Sequence, residues 1–256
     1  MLRAVDVPPW TERAGEDSVN FARHRPWAAS VSTEALCARI LERHRNVVRV
    51  RKENVAVGNL ARIIEATLKL SNKRGFHGTS LRDLAEASGL SMGGLYSYFG
   101  NKTKLLSMIL GAVTGIAAEI LSDPPGDVAG DARAHLAWIV DTHIRLSEAM
   151  HPWFVFAFME AKAFPPAERQ IALDGEAATE SIIAEVLERG VESGAFAVGE
   201  VGLTAALIKP LLQDWYVKRA KHRKRGTSIE AYIEAVTAFV DRAVSPGARS
   251  RAGAVS

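Results

Sequence analysis

Cysteine is almost absent from this chain. Cys37 is the only one in 256 residues, so no internal disulfide can form and no thiolate metal site can be assembled. That usage fits a reducing compartment, and a cytoplasmic protein is expected. Histidine offers no metal set either. His135, His143 and His151 recur at intervals of eight, which is not a compact ligand spacing. There is no phosphate-cradling loop, no GxGxxG and no HExxH, so an enzyme is not expected, nor is a cofactor. No run of 18 apolar residues occurs, and Met1–Val7 lacks the apolar stretch of a signal peptide, so no membrane partner is expected. No stretch alternates convincingly between apolar and polar residues, and there is no internal repeat.

What is present is uneven charge and helical periodicity. Residues 1–53 hold 10 Lys and Arg against 7 Asp and Glu, and residues 54–122 hold 7 against 4; residues 123–256 reverse the balance, 15 against 18. A basic front and an acidic back are expected if only the front meets nucleic acid. Residues 1–31 show no sustained period and read as mostly disordered. Ser32–Lys52 reads as a helix ringed by Arg39, Arg43, Arg45, Arg49 and Arg51, either a solvated tail or a basic arm along DNA. Apolar spacing then predicts helices over Asn59–Gly75, Lys102–Leu121, Asp131–Met150, Trp153–Ala163, Glu168–Ser193, Glu200–Lys221 and Ile229–Val244. The fold class is all-α, with about nine packed helices. The tail Ser245–Ser256 reads as unstructured.

One stretch carries chemistry. In Thr79–Leu106 a Ser80 N-cap with Asp83 opens a short helix, Gly89 ends it, and Ser91 caps a second helix through Tyr98. Helix, glycine turn, helix is the helix-turn-helix pattern, whose second helix enters the major groove. Leu95 and Phe99 should face inward, and Ser91, Met92, Gly93, Gly94, Tyr96, Ser97 and Tyr98 outward. Two adjacent glycines cost about 1 kcal/mol each relative to Ala, which close backbone approach to a groove would justify. Ser80 and Arg82 are further backbone-contact candidates, and Lys102 in a first helical turn suits a phosphate.

The run from Gly89 to Leu106, with the helix ending in Arg74-Gly75-Phe76 before it, resembles the TetR family of transcriptional regulators. The recognisable part covers roughly Asn59 to Leu110. The resemblance implies contacts with double-stranded DNA at Met92, Gly93, Gly94, Tyr96 and Tyr98 and a phosphate role for Lys102. It implies an extension at 1–53, a DNA-binding domain at 54–106, an effector-binding and dimerisation domain at 107–244 and a tail at 245–256. It also implies a homodimer through the last two long helices, whose apolar stripes could equally be intrachain core. The effector should be small and hydrophobic. The site expected for it comprises Trp138, His143, Trp153, Phe156, Met159, Trp215 and Arg219, although each aromatic alone could be plain core. Lys218–Arg225 places six positive charges in eight residues beside it. An apolar pocket ending in cations would suit an acyl-coenzyme A thioester; a neutral hydrophobe is the alternative. The segment Gln213–Arg219 resembles the acyl-CoA-responsive, fatty-acid-metabolism branch of the family. A helical lipid-binding or scaffold protein would explain the apolar helices after Asp131 but not the Gly89–Leu106 pattern.

Overall fold

The computed structural model describes residues 26–246; the expectations for residues 1–25 and for the tail from 247 fall outside the described residues. Among these it is helical throughout, with no strand. A 3-10 turn at Pro26–Val31 leads into α1 (Thr33–Arg43), followed by α2 (Glu53–Arg74), α3 (Leu81–Ser88), α4 (Met92–Tyr96) and α5 (Lys102–Leu121). The second half comprises α6 (Gly126–Ala129), α7 (Ala132–Ala149), α8 (His151–Met159), a 3-10 turn at Ala161–Ala163, α9 (Pro166–Glu192), α10 (Val201–Val217), α11 (Arg219–Lys224) and α12 (Ile229–Val244).

From residue 26 on the extension is ordered, where residues 1–31 read as mostly disordered. Ser32 caps α1 by accepting from the Ala35 amide, and Leu36, Cys37, Ile40 and Leu41 are fully buried against α2 and α5. Burying one Leu or Ile is worth about 1.5–3 kcal/mol, enough to hold an 11-residue helix that would be marginal alone. Arg39 adds a two-pronged pair with Glu119, both bonds 2.7 Å. The helix stops at Arg43 rather than running to Lys52, and residues 44–52 form a turn and an irregular extended connection.

Two apolar cores lie along the molecule. The first joins α1–α5 to α8 and includes Tyr216; the second joins α7, α9, α10 and α12. Helix α5 is long and apolar enough to cross a membrane by length and composition alone, and 61% of that window is buried inside the fold. Its neighbours, α9 above all, use it as the spine linking the two ends. Pro152 sits in the first turn of α8 and Pro166 opens α9, whereas Pro210 lies inside α10. The reading of one helix over Glu200–Lys221 is corrected, since it breaks at Lys218 into α10 and α11.

Candidate nucleic-acid interface and interior site

The capping signals fold as local chemistry dictates. The Ser80 hydroxyl accepts from the Asp83 amide at 3.1 Å, and the Asp83 carboxylate accepts from the Ser80 amide at 2.8 Å, closing a capping box. The Ser80 hydroxyl, which also donates to that carboxylate at 2.7 Å, and the Ser80 amide, with Arg74 beside them, hold the Asp83 carboxyl below its usual value. Gly89 takes a left-handed φ of 66°, which an L side chain rarely adopts. Ser91 then caps α4 by accepting from the Gly94 amide at 3.0 Å. Leu95 and Phe99 are fully buried, as their spacing requires.

Ser91, Met92, Gly93 and Tyr96 are exposed on α4, while Gly94 and Ser97 are half-buried; Ser97 donates to the Gly93 carbonyl. Arg82 and Ser80 are exposed at the start of α3. Open space surrounds the position a Cβ at Gly93 would occupy. So the backbone of α4 is approachable there from outside.

One expected contact is corrected, and another is already engaged within the fold. Tyr98 is buried, 1% exposed, and its hydroxyl accepts from the Asn59 side chain at 2.8 Å. It ties α4 to α2 and is not an outward residue. Lys102 donates to the Phe76 carbonyl and lies over the Phe76 ring at 4.4 Å. Burial holds its ammonium below the usual lysine value, so its charge is already partly committed within the fold.

The residues Gly89-Leu90-Ser91-Met92-Gly93 also fit the GxSxG spacing of a hydrolase elbow, a match the reading of the sequence passed over. That motif needs a strand before the serine and a base beside it. Ser91 follows a helix and its hydroxyl is occupied as an N-cap, so the match carries no hydrolase chemistry.

The turn between α2 and α3 is built into the C-terminal half. Phe76 packs edge-on against Phe156 at 5.7 Å and Phe164 at 6.2 Å. Its amide donates to Glu160 at 2.8 Å, and the His77 ring meets the Ala163 carbonyl. Helix α8 and the turn after it therefore grip the loop that sets α3.

The residues expected to line one effector site fall into both cores. Trp153 and Phe156 lie in the first, Trp138 and Trp215 in the second, and all four are buried. Met159 is exposed, and Arg219 is exposed and paired with Glu148, which also accepts from the Trp215 indole. His143 is buried, with its Nε2 3.0 Å from Lys209 Nζ and its Nδ1 without a partner. Burial, then the Lys209 charge, keeps this imidazole well below its usual value, while burial pushes Lys209 down to about 8 against the pull of Glu176 and Glu180.

Rings lead outward from this pair: His143 to Phe154 at 5.7 Å, Phe154 to Tyr216 at 5.4 Å, and Tyr216 to the exposed Phe158 at 6.1 Å. Of these residues, Lys209 was missed from the sequence, whereas the apolar segment Trp153–Met159 and Tyr216 read as suited to a hydrophobic ligand. Lys209 had a signal, a lone cation inside the apolar run Leu203–Leu212. Leu203 and Leu207 on α10 and Phe239 on α12 also face solvent, 57%, 65% and 57% exposed. Of the six charges in Lys218–Arg225, Lys218 is paired with Asp214 and Arg219 with Glu148.

Comparison with known proteins matches both halves of this architecture. Residues 63–109 fit the model of the bacterial regulatory proteins of the tetR family, and residues 129–217 fit the tetracyclin repressor-like C-terminal domain. The HTH-type transcriptional repressor KstR2 of Rhodococcus jostii is 30% identical over 143 residues, covering 54% of this chain and 68% of that protein. Among solved structures, the TetR family regulator PfmR of Thermus thermophilus is 27% identical, with a TM-score of 0.56 over 70% of this chain and 95% of that one. FadR of Bacillus subtilis, solved in complex with stearoyl-CoA, shares the fold at 20% identity, with a TM-score of 0.55 over 70% of this chain and 96% of that one. A helix-turn-helix with an approachable second helix, joined to an all-helical C-terminal half that matches the family's own, makes this chain a member of the TetR family of DNA-binding transcriptional regulators.

Proposed function

We propose that the chain is a ligand-released repressor that binds an inverted repeat as a homodimer. The observation that carries the release mechanism is the grip of α8 on the α2–α3 turn through Phe156, Glu160 and Phe164. A ligand that displaces α8 must disturb the loop from which α3 and α4 are hung. It acts only if it binds the displaced arrangement more tightly than the gripped one. Exposed α4 residues Ser91, Met92, Gly93 and Tyr96, with the half-buried Gly94 and Ser97, supply the groove contacts. Ser80, Arg82 and Lys102 supply backbone contacts, Lys102 after leaving Phe76. Two half-sites need two such heads, and the stripe Leu203, Leu207 and Phe239 is the apolar surface available to join them.

The effector is a hydrophobic molecule that enters past Phe158 and Met159 and reaches the ring path ending at His143 and Lys209. The buried, incompletely bonded Lys209–His143 pair would hold a polar group of the ligand. An acyl-CoA is the candidate class, supported by the stearoyl-CoA complex of the Bacillus subtilis FadR and by the cations Lys221, Arg223, Lys224 and Arg225, which remain exposed. The pairing of Lys218 and Arg219 reduces that support, and a neutral hydrophobe is the competing class.

The test is fluorescence anisotropy on an operator duplex recovered by in vitro selection, titrated with medium- and long-chain acyl-CoAs and with the matching free fatty acids. Release by the thioesters alone supports the acyl-CoA reading. In Glu160→Ala protein, ligand should still bind while its effect on DNA affinity shrinks several-fold. Undiminished release from that variant would overturn the coupling through α8.

A further inference from the structure

The connection from α1 to α2 lies outside both family-matched segments, 63–109 and 129–217. Residues 45–52 read Arg-Asn-Val-Val-Arg-Val-Arg-Lys, four cations in eight residues with no acid among them. Burial alternates along its second half: Val48 is 5% exposed and Val50 half-buried against the first core, while Arg49, Arg51 and Lys52 face solvent. Inward valines and outward arginines are what an extended chain gives when one side is anchored.

The anchoring reaches the recognition helix itself. The Arg49 amide donates to the Ser97 carbonyl at 2.8 Å, and Ser97 is the C-cap of α4. The basic side chains are thus fixed in register with Met92, Gly93 and Tyr96 by backbone, whatever their own rotamers. Arg45 meets Glu53 only loosely at 3.7 Å, with both side chains largely in solvent. Arg49, Arg51 and Lys52 form no ion pair among the described residues. More positive charge stands alongside: burial, then the charges of Lys104 and Arg43, holds His44 below its usual value. A solvated surface ordinarily mixes signs, whereas here unpaired cations collect at one end of the helix that meets DNA.

We propose that Arg49, Arg51 and Lys52 are a phosphate clamp that grips the DNA backbone beside α4, a part of the interface lying outside the family's helix-turn-helix segment. The clamp carries affinity and register, and base choice stays with α4. It rests on the DNA-binding reading given above.

The experiment uses the full chain and the operator duplex selected on wild-type protein, with anisotropy measured across a salt series. Each of Arg49→Ala, Arg51→Ala and Lys52→Ala should reduce the log–log salt slope by about 0.9, and the triple variant by about three times that. Repeating the selection on the triple variant should return the same consensus. Arg49→Lys with Arg51→Lys should restore most of the slope, since charge is what a phosphate reads. These positions are exposed and the Arg49 tie to Ser97 is made by backbone, so the helical circular dichroism should be unchanged. Lys162→Ala, an exposed cation in the turn after α8, controls for net charge. An unaltered slope in the triple variant, or an equal loss in Lys162→Ala, overturns the clamp. Wild-type protein that binds the selected duplex no better than a scrambled one would instead bring down the DNA-binding reading, and the clamp with it.

Discussion

Tyr98 separates two roles that make opposite demands. As a phosphate contact its hydroxyl would matter to DNA and not to folding. In the structure it accepts a 2.8 Å bond from Asn59 beneath a ring that is 1% exposed. Tyr98→Phe keeps the ring and its packing and removes only that bond. A neutral hydrogen bond of this kind contributes about 0.5–1.5 kcal/mol. Asn59 is half-buried, so water can partly rescue its orphaned amide, which favours the lower half of that range. For a chain this size each kcal/mol moves the melting temperature by about 2–4 °C, so a drop of roughly 1–4 °C is expected. Melting should be compared at one protein concentration, because a dimer's stability depends on it. DNA affinity and its salt slope, measured below the transition, should match wild type within experimental scatter. Unchanged melting together with weaker DNA binding and a shallower slope would refute the burial argument and return Tyr98 to the interface.

Two further expectations follow from the same geometry. Leu207→Glu with Phe239→Lys places charges on the exposed stripe of α10 and α12 and should give a helical monomer by light scattering at micromolar concentration; a dimer that survives the pair excludes this face. Burial first, then nearby positive charge, holds His44, His135, His143 and His151 below the ordinary 6.5, with His135 at about 4. The unfolded chain therefore binds more protons than the folded one as pH falls through 6.5, and stability must fall with it. The urea midpoint should be lower at pH 5.5 than at pH 7.5, with a smaller difference in His135→Gln; equal midpoints at the two pH values would contradict the buried neutral histidines.

The helix-turn-helix was legible because its signals are local. A cap, a left-handed glycine and a second cap each act within four residues, and Ser80, Gly89 and Ser91 do as their types require. Tyr98 was misplaced because its partner is 39 residues away, and a five-residue helix gives periodicity little to work on. The helix in the extension was readable but its packing was not, because what it buries against, α2 and α5, comes later in the chain. Of the residues expected at the effector site, Trp138, His143, Trp153, Phe156 and Trp215 are interior, the four rings besides His143 divided between the two cores, while Met159 and Arg219 are exposed. His151–Met159 is apolar nearly all round, so nothing in it says which side meets which core. Lys209 was readable in principle, since a cation between Ile208 and Pro210 in an apolar run has few places to go but inward.

The ring trio Phe76, Phe156 and Phe164 bears on how the family's parts can be exchanged. A fragment ending at Leu106 would carry Phe76 but leave behind both rings it packs on and the Glu160 carboxylate that accepts its amide. Such a head would expose an aromatic and orphan a backbone donor at the turn that orients α3. The DNA-reading end is therefore not a portable module at that boundary. A chimaera that grafts it onto another member's C-terminal half must bring positions 156, 160 and 164 along, or find their counterparts already in place.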